Sequence, residues 1–195
     1  MVNICLLGHS FVSGLHHHMS VDHPLSPQEV SHHLKLDHLV KNFHLIGKRG
    51  SQIMNSSFSL PHELITDIQP ALLFLQYGSN DLAAGREPLE VATKVVDISR
   101  ELLQFHSSIK KVAILSALPR GHSAWLNDNI QRYNGYIKNY CEIEDQIFYK
   151  TLQGFWTSDI CTWSRDTIHP NTVLGRKKYK NALRRVTFAM LPRLS

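Results

Sequence analysis

Long hydrophobic segments are absent from this sequence of 195 residues. Its apolar runs are all shorter than the roughly 18 residues that a membrane-spanning helix needs. The chain passes from Met1 into a short apolar run at residues 4–7, with no basic flank and no small-residue cleavage site. We therefore expect neither a membrane span nor a signal peptide.

Cysteine is also scarce. The three thiols, at Cys5, Cys141 and Cys161, are odd in number and far apart in the sequence, which argues against a disulfide framework and against a zinc site. The apolar neighbours of Cys5 favour a buried thiol. Unpaired cysteines are typical of proteins from a reducing compartment, so we expect a cytoplasmic location.

Charged residues make up 19% of the chain and hydrophobic residues 43%. This composition is typical of a globular protein, and the length suits one compact domain spanning residues 1–195. The formal net charge of +5 is modest, and such an excess usually belongs to a solvated surface. A nucleic-acid partner is compatible with this charge but is not favoured.

Histidine is abundant, with 13 residues, nine of which lie between His9 and His44. Their spacing does not match the His-x3-His or Cys/His patterns of metal sites on helices. We therefore interpret this segment as polar surface and predict no metal site.

Apolar runs of strand length alternate with longer segments of helical period, which is the pattern of βα units around a parallel sheet. The predicted strands comprise residues 2–7, 43–46, 71–76, 111–116 and 146–149. The predicted helices comprise residues 61–68, 88–105, 124–141 and about 172–191, with a less regular helical piece around residues 30–40. Asn171 is predicted to be the N-cap of the last helix.

Ligands of open parallel sheets gather at the carboxyl ends of the strands. Ser10 follows the first strand where a helix begins, so its hydroxyl is a candidate nucleophile, although a serine there can also serve as a helix N-cap. His169 can accept the serine proton, and Asp166, three residues earlier, can orient the His169 ring. Alternatively, Asp166 caps the backbone of a turn that enters the last helix.

Two further loop residues suit the stabilisation of an oxyanion. Asn80, after the third strand, can donate its side-chain amide, and Gly50 lets a backbone N–H approach the same point without a Cβ in the way. Viewed alone, each is equally compatible with an ordinary turn. Their order along the chain, together with Ser10 and His169, points instead to acyl transfer.

Four segments in order resemble the SGNH hydrolases, also called GDSL-type esterases and lipases: Gly8-His9-Ser10, Gly50, Gly78-Ser79-Asn80-Asp81 and Asp166-Thr167-Ile168-His169-Pro170. The resemblance spans nearly the whole chain. It implies a three-layer α/β/α sandwich with a flavodoxin-like, five-stranded parallel sheet. It also implies a triad of Ser10, His169 and Asp166, acting as nucleophile, base and orienter. The implied oxyanion hole comprises the Ser10 N–H, the Gly50 N–H and the Asn80 side chain.

One position departs from the family pattern, because His9 stands where the family usually has Asp. That Asp is not a triad member, so the departure bears on the surroundings of Ser10 rather than on the fold. The loop at residues 117–121 resembles the intracellular platelet-activating-factor acetylhydrolase-type branch. A relaxed first block also occurs in esterase-like domains of retrotransposon polyproteins. In that context the basic last helix could bind nucleic acid, but a solvent-facing stripe of positive charge is the favoured explanation.

We expect a serine esterase that hydrolyses a small, acetyl-like ester through an acyl-enzyme intermediate and that needs no metal or other cofactor. Trp156 and Trp163 are candidates for the substrate wall, although large aromatic residues at such a position are as often part of the core. The alternative is a catalytically weak or inactive domain of the same fold, within a retroelement polyprotein, that binds nucleic acid or protein.

Overall fold

A computed structural model describes residues 1–19, 24–121, 123–156, 158–171 and 173–194. Five parallel strands form one sheet in the order β2-β1-β3-β4-β5. Their bounds are Val2–Gly8 (β1), Val40–Gly47 (β2), Leu72–Gln76 (β3), Lys111–Leu115 (β4) and Ile147–Lys150 (β5). All five predicted strands are present, and β2 extends beyond its predicted bounds at both ends because it pairs with the full length of β1.

Helices connect and cover these strands. In the described part of the chain they are Ser10–Met19 (α1), Pro27–His33 (α2), His62–Ile68 (α3), Ser79–Ala83 (α4), Pro88–Phe105 (α5), Ala124–Cys141 (α6) and Leu174–Met190 (α7). Short 3-10 turns at Ile160–Thr162 and Leu191–Leu194 precede and follow α7. The bounds of α5 and α6 agree with the sequence prediction, because each helix buries one face of regularly spaced apolar residues.

The sheet is buried on both faces. One face, which includes Leu6 and Phe74, packs against α1, α2 and α7, and the other, which includes Leu7 and Leu75, packs against α3, α5 and α6. Successive side chains of a strand point to opposite faces, so neighbours in β1 and β3 belong to different core layers. Cys5 is fully buried in the second layer, as predicted. The three-layer α/β/α sandwich predicted from the sequence is confirmed.

The predicted helical piece around residues 30–40 is wrong in its bounds. The helix α2 begins earlier, at Pro27, because Ser26 and Glu29 form a capping box: the Glu29 N–H donates to Ser26 Oγ at 3.3 Å, and the Ser26 N–H donates to Glu29 Oε2 at 2.7 Å. The chain then turns at Lys35, which has a φ of 56°, and β2 starts at Val40. A proline at the first helical position removes no needed hydrogen bond, so it starts this helix rather than breaking it.

The start of α7 also differs from the prediction. Its N-cap residue is Val173 rather than Asn171, and the predicted start at Thr172 lies outside the described residues. Asn171 nevertheless accepts hydrogen bonds from the backbone N–H groups at the start of the helix. Its Oδ1 accepts from the N–H groups of Val173 at 3.1 Å, Leu174 at 2.8 Å and Gly175 at 3.0 Å. The predicted capping side chain is therefore right, and its position relative to the helix is not.

Candidate active site

Loops at the carboxyl ends of β1, β2 and β3 meet at one cleft of about 510 Å³. Ser10 begins α1 directly after β1, Gly50 follows β2, and Asn80 lies in α4 after β3. Because β1 lies between β2 and β3 in the sheet, these three residues reach the same stretch of the sheet edge. His169 and Asp166, from the loop before α7, line the same cleft.

His169 bridges Ser10 and Asp166. Its Nε2 lies 2.9 Å from Ser10 Oγ, and its Nδ1 lies 2.6 Å from Asp166 Oδ2. A carboxylate accepts hydrogen bonds and cannot donate them, so Nδ1 carries the hydrogen and Nε2 accepts from the Ser10 hydroxyl. This is the tautomer that a general base for the hydroxyl requires. The structure thus brings together the three residues that the sequence suggested as a triad.

Asp166 is held by several donors besides the His169 ring. Its Oδ1 accepts from the backbone N–H groups of Ile168 at 2.9 Å and His169 at 3.0 Å, and from the Ser164 hydroxyl at 2.6 Å. Burial opposes ionisation, but these hydrogen bonds outweigh it and hold the Asp166 pKa well below its usual range. Turn capping and ring orientation, which were alternatives at the level of the sequence, are performed by the two oxygens of one carboxylate.

The side chain of Asn80 has a fixed orientation. Its Oδ1 accepts a hydrogen bond from Arg120 Nη2 at 2.8 Å, and its Nδ2 donates to the Ser51 carbonyl at 3.0 Å. A guanidinium can only donate, so Arg120 determines which end of the amide is the oxygen. An amide nitrogen has two hydrogens, and the second one of Asn80 is left for a ligand in the cleft.

Gly50 lines the cleft with a φ of 68°. Apart from Gly50 and its two chain neighbours, no described residue has a heavy atom within 4 Å of the place that a Cβ would occupy. The glycine is therefore favoured by its left-handed backbone conformation rather than by close packing against protein atoms.

His9 is 1% exposed. Its Nε2 lies 2.9 Å from Ser79 Oγ, which also accepts from Arg120 Nη2 at 3.2 Å. The single hydrogen of the Ser10 hydroxyl is donated to His169 Nε2, so the contact between Ser10 Oγ and His9 Nδ1 requires a hydrogen on that nitrogen, and the Ser79 hydroxyl donates to His9 Nε2. His9 therefore carries its hydrogen on Nδ1, which lies 3.5 Å from Ser10 Oγ. Burial lowers the His9 pKa to about 3, and the positive charge of Arg120 adds to the shift. A neutral ring with its hydrogen towards Ser10 does not compete with His169 as the base.

Sequence reasoning missed three residues of the site: Phe11, Ser164 and Arg120. The Phe11 ring contacts both imidazole rings. Its centroid lies 4.7 Å from that of His9, with 64° between the ring planes, and 5.6 Å from that of His169, with 88° between the planes. Arg120 lies in the loop after β4, at the same sheet edge as the other loops. The sequence did hold a signal for Arg120, because a charged residue in the loop after a predicted strand is a candidate for a site at that edge of the sheet.

The loop that carries Arg120 is joined to the loop that carries His169. The Gly121 N–H donates to the Thr167 carbonyl at 2.7 Å. A Cβ at Gly121 would lie 2.2 Å from Thr167 Cβ, which is far inside van der Waals contact. Glycine is favoured at position 121 because a side chain there would overlap mainly with the side chain of Thr167.

The structure does not place the two tryptophans in the wall of the cleft. Trp163 is 6% exposed and packs in the core against Phe155, with ring centroids 6.0 Å apart. Its Nε1 donates to the Trp156 carbonyl at 3.0 Å, and the Trp156 side chain is 67% exposed. Neither tryptophan is among the described residues that line the cleft. The expected tryptophan wall is therefore corrected: hydrophobic burial draws Trp163 into the core.

Five histidines of the histidine-rich segment lie on two helices, and His44 lies in β2. His16, His17 and His18 lie in the last turn of α1, and His32 and His33 lie in the last turn of α2, while the structural description does not extend to residues 20–23. Within the described ranges, no three His, Cys, Asp or Glu side chains converge so that they could hold a metal ion. None of the described helices is long and apolar enough to cross a bilayer.

Basic residues of α7 lie on two different surfaces. Arg176 lines the active-site cleft, whereas Lys177, Lys180 and Arg184 line a separate groove of about 530 Å³ together with His18. Contact between this helix and nucleic acid stays a prediction.

Comparison with known proteins gives matches at the level of structure. No family model and no curated protein sequence matches the chain. The structure is similar to a family 3 carbohydrate esterase from Clostridium thermocellum, with a TM-score of 0.73 and 17% identity over 99% of this chain and 98% of that chain. It is also similar to a GDSL-like lipase from Bacteroides thetaiotaomicron, with a TM-score of 0.68 and 15% identity over 99% and 89% of the two chains.

A further similar structure is that of an acetyl esterase variant with an acetate ion, with a TM-score of 0.70 and 14% identity over 100% of both chains. These likenesses extend over nearly the whole described fold. The fold is therefore that of the GDSL-type lipases and esterases, as the sequence motifs implied.

Proposed function

We propose that this chain is a carboxylic ester hydrolase of the SGNH type, with Ser10 as its nucleophile. The observation that carries the proposal is the continuous hydrogen-bonded series from Ser10 Oγ through His169 to Asp166. This series lies in a cleft whose wall includes Asn80 and Gly50. The likeness in fold to a GDSL-like lipase and a carbohydrate esterase supports the same conclusion.

Acylation begins when Ser10 Oγ attacks the ester carbonyl carbon and its proton passes to His169 Nε2. The imidazolium that forms is stabilised by the ionised Asp166, whose pKa lies below its usual range. The backbone N–H groups of Ser10 and Gly50 and the second Nδ2 hydrogen of Asn80 stabilise the charge on the carbonyl oxygen. His169 then protonates the departing alcohol, and an acyl-enzyme remains.

Deacylation repeats these steps with water in place of Ser10. His169 removes a proton from the water, the hydroxide attacks the acyl carbon, and the proton returns to Ser10 Oγ as the acid departs. Each proton transfer uses the same ring nitrogen, and none of the steps requires a metal ion or a cofactor.

The acyl group of the proposed substrate is small and acetyl-like. Phe11, Leu15 and Ile168 supply an apolar part of the cleft wall, which suits a short alkyl group next to the reacting carbonyl. Among the similar structures is an acetyl esterase variant with an acetate ion, which supports the same acyl class.

Hydrolysis of 4-nitrophenyl acetate by the purified chain, together with labelling by a serine-directed fluorophosphonate, tests the proposal. Ser10→Ala should abolish both turnover and labelling, because the attacking oxygen is lost. Ser107→Ala is the matched control, since Ser107 is an exposed serine between α5 and β4, and it should behave as wild type. Turnover by Ser10→Ala at the wild-type rate would refute the mechanism, and an inert wild-type chain would favour the alternative of a binding domain.

A further inference from the structure

The active-site cleft has an excess of positive charge. Arg49, Arg120 and Arg176 line it, and the acidic residue that lines it in the described part of the chain is Asp166. Asp166 is already engaged by the ring of His169 and by backbone N–H groups of its own loop. The cleft therefore offers a net positive potential to any ligand that enters it.

The deepest of these cations, Arg120, has no carboxylate partner among the described residues. It is 9% exposed, and the oxygens that its Nη2 contacts, Ser79 Oγ and Asn80 Oδ1, are neutral. Its Nε is buried and makes no hydrogen bond within the described structure. Burial disfavours this charge and lowers the Arg120 pKa, and attraction to Asp166 offsets only part of that shift. A bound anion would therefore stabilise the Arg120 charge further.

Arg49 and Arg176 are two further cations at the same cleft. Arg49 directly precedes Gly50 in the loop after β2, and Arg176 lies in the first turn of α7. Neither side chain forms an ion pair with a carboxylate in the parts of the chain that the structure covers. Partial burial lowers the Arg176 pKa, and repulsion from Arg49 lowers it further, so the two charges lie close enough to interact. An anion placed between them would replace this repulsion with attraction.

We propose that the cleft selects an ester that carries an anionic group, a carboxylate or a phosphate, and that Arg49 and Arg176 form the subsite for that group. The proposal rests on the proposed esterase function and adds the charge of the substrate to it. The planar guanidinium groups suit both anions, since each can donate two parallel hydrogen bonds to a pair of oxygens. The anionic group lies beyond the reacting ester, because the acyl carbon has to lie at Ser10.

Matched pairs of esters test this charge preference. On the alcohol side the pair is 4-carboxyphenyl acetate and 4-carbamoylphenyl acetate, which have nearly the same size and differ in charge. On the acyl side the pair is phenyl hydrogen adipate and phenyl adipamate. Each kcat/KM is divided by the rate constant of the same ester with hydroxide, which removes the difference in leaving-group strength. A fifth ester, 4-acetoxyphenyl phosphate, distinguishes a subsite for phosphate from one for carboxylate.

For the wild-type chain, we expect the anionic member of at least one pair to be preferred about tenfold or more, mainly through a lower KM. Arg49→Gln and Arg176→Gln should each reduce this preference by about three- to tenfold. Arg185→Gln is the matched control, because it removes the same charge from α7 but lies away from the cleft, and it should retain the preference. Added salt should reduce the preference of the wild-type chain, since it screens exposed charges.

Equal normalised rates for both members of both pairs, with the chain still active, would overturn the anion subsite and leave the esterase proposal intact. So would a preference that Arg185→Gln reduces as much as Arg176→Gln does. If no ester is hydrolysed, binding of benzoate and benzamide to the chain is measured by calorimetry. Selective binding of benzoate that is lost in Arg176→Gln would then support the subsite while the esterase proposal fails, and equal binding would refute the subsite as well.

Discussion

The guanidinium of Arg120 holds the side-chain amide of Asn80 in one orientation, with 2.8 Å between Nη2 and Oδ1. Through the same nitrogen it contacts Ser79 Oγ, which in turn contacts the ring of His9. One buried cation therefore fixes the direction of the proposed oxyanion donor and also supports the serine that contacts the ring next to Ser10.

Replacing Arg120 should consequently impair catalysis more than binding. Arg120→Met removes the hydrogen bond to Asn80 Oδ1, so the amide is held only through its Nδ2, which donates to the Ser51 carbonyl. We expect kcat with 4-nitrophenyl acetate to fall by about 10- to 100-fold, less than the 10²–10³ typical for the loss of an oxyanion donor itself, with KM nearly unchanged. Arg132→Met, at a half-exposed arginine of α6, is the control. A KM effect alone would contradict the role in orienting Asn80.

The second prediction concerns the two oxygens of the Asp166 carboxylate, one of which contacts the His169 ring while the other accepts from backbone N–H groups. Asp166→Asn keeps the shape but lets an amide hydrogen face Nδ1 of His169, which favours the tautomer with Nε2 protonated and unable to accept from Ser10. We expect kcat to fall by about 10³, which is less than the loss of about 10⁴ that this change causes in a serine protease. Asp67→Asn, an exposed carboxylate of α3, should leave kcat unchanged. Retention of activity within a factor of about three would show that Asp166 acts only in the turn.

The third prediction follows from the burial of His9. An unfolded histidine titrates near pH 6.5, whereas burial lowers the pKa of His9 in the folded chain to about 3. Below about pH 6.5 the unfolded state therefore binds a proton that the folded state excludes, so stability is lost as the pH falls and the loss levels off near pH 3.

Between about pH 6 and pH 4, the free energy of unfolding of the wild-type chain should fall by about 2 kcal/mol more than that of His9→Gln, whose side chain does not titrate. Urea titrations at several pH values measure this difference, and the variant corrects for the carboxylates that both proteins share. Parallel pH profiles of the two proteins would show that His9 titrates normally in the folded chain.

The fourth prediction uses the close approach of Gly121 to Thr167. In Gly121→Ala the new methyl group has to displace the loop that holds Asp166 and His169, so kcat should fall by about tenfold or more, since misplacement of a catalytic group by about 1 Å can cost about 10² in rate. Gly135→Ala, in α6 with open space around its Cβ position, should keep full activity.

A second variant separates displacement from simple loss of folding. Thr167 has a φ of 56°, so Thr167→Gly both removes the clashing Cβ and suits the local backbone. The double variant with Gly121→Ala and Thr167→Gly should regain most of the lost activity. Additive losses in the double variant would contradict a steric link between the two loops.

The sequence predicted those features that depend on local pattern. The helix α5 followed from the steps of three and four between Val91, Val95, Ile98 and Leu102, which the structure buries together. The candidates Ser10, Asp166 and His169 followed from residue chemistry at strand ends, and the structure places them within hydrogen-bond distance.

Features that depend on contacts between distant loops were not predictable in this way. The position of Arg120 against Asn80 joins the loops after β4 and β3, and no local pattern encodes that pairing. The burial of Trp163 depends on Phe155 and on the core beneath α7. The left-handed turn at Lys35, which ends the segment after α2, lacks the glycine that usually announces such a conformation.

The hydrogen bond between Ser10 and His169 joins residues that are 159 positions apart. A chain that has formed only β1, β2 and β3, with the loops that follow them, holds the proposed nucleophile and all three proposed oxyanion donors but lacks the proposed base, which belongs to the loop before α7. Since contacts across so long a segment have the largest loop-closure cost, the reactive centre is completed only when the last helix docks. On the proposed mechanism, a folding chain should therefore gain activity towards esters only once α7 is in place.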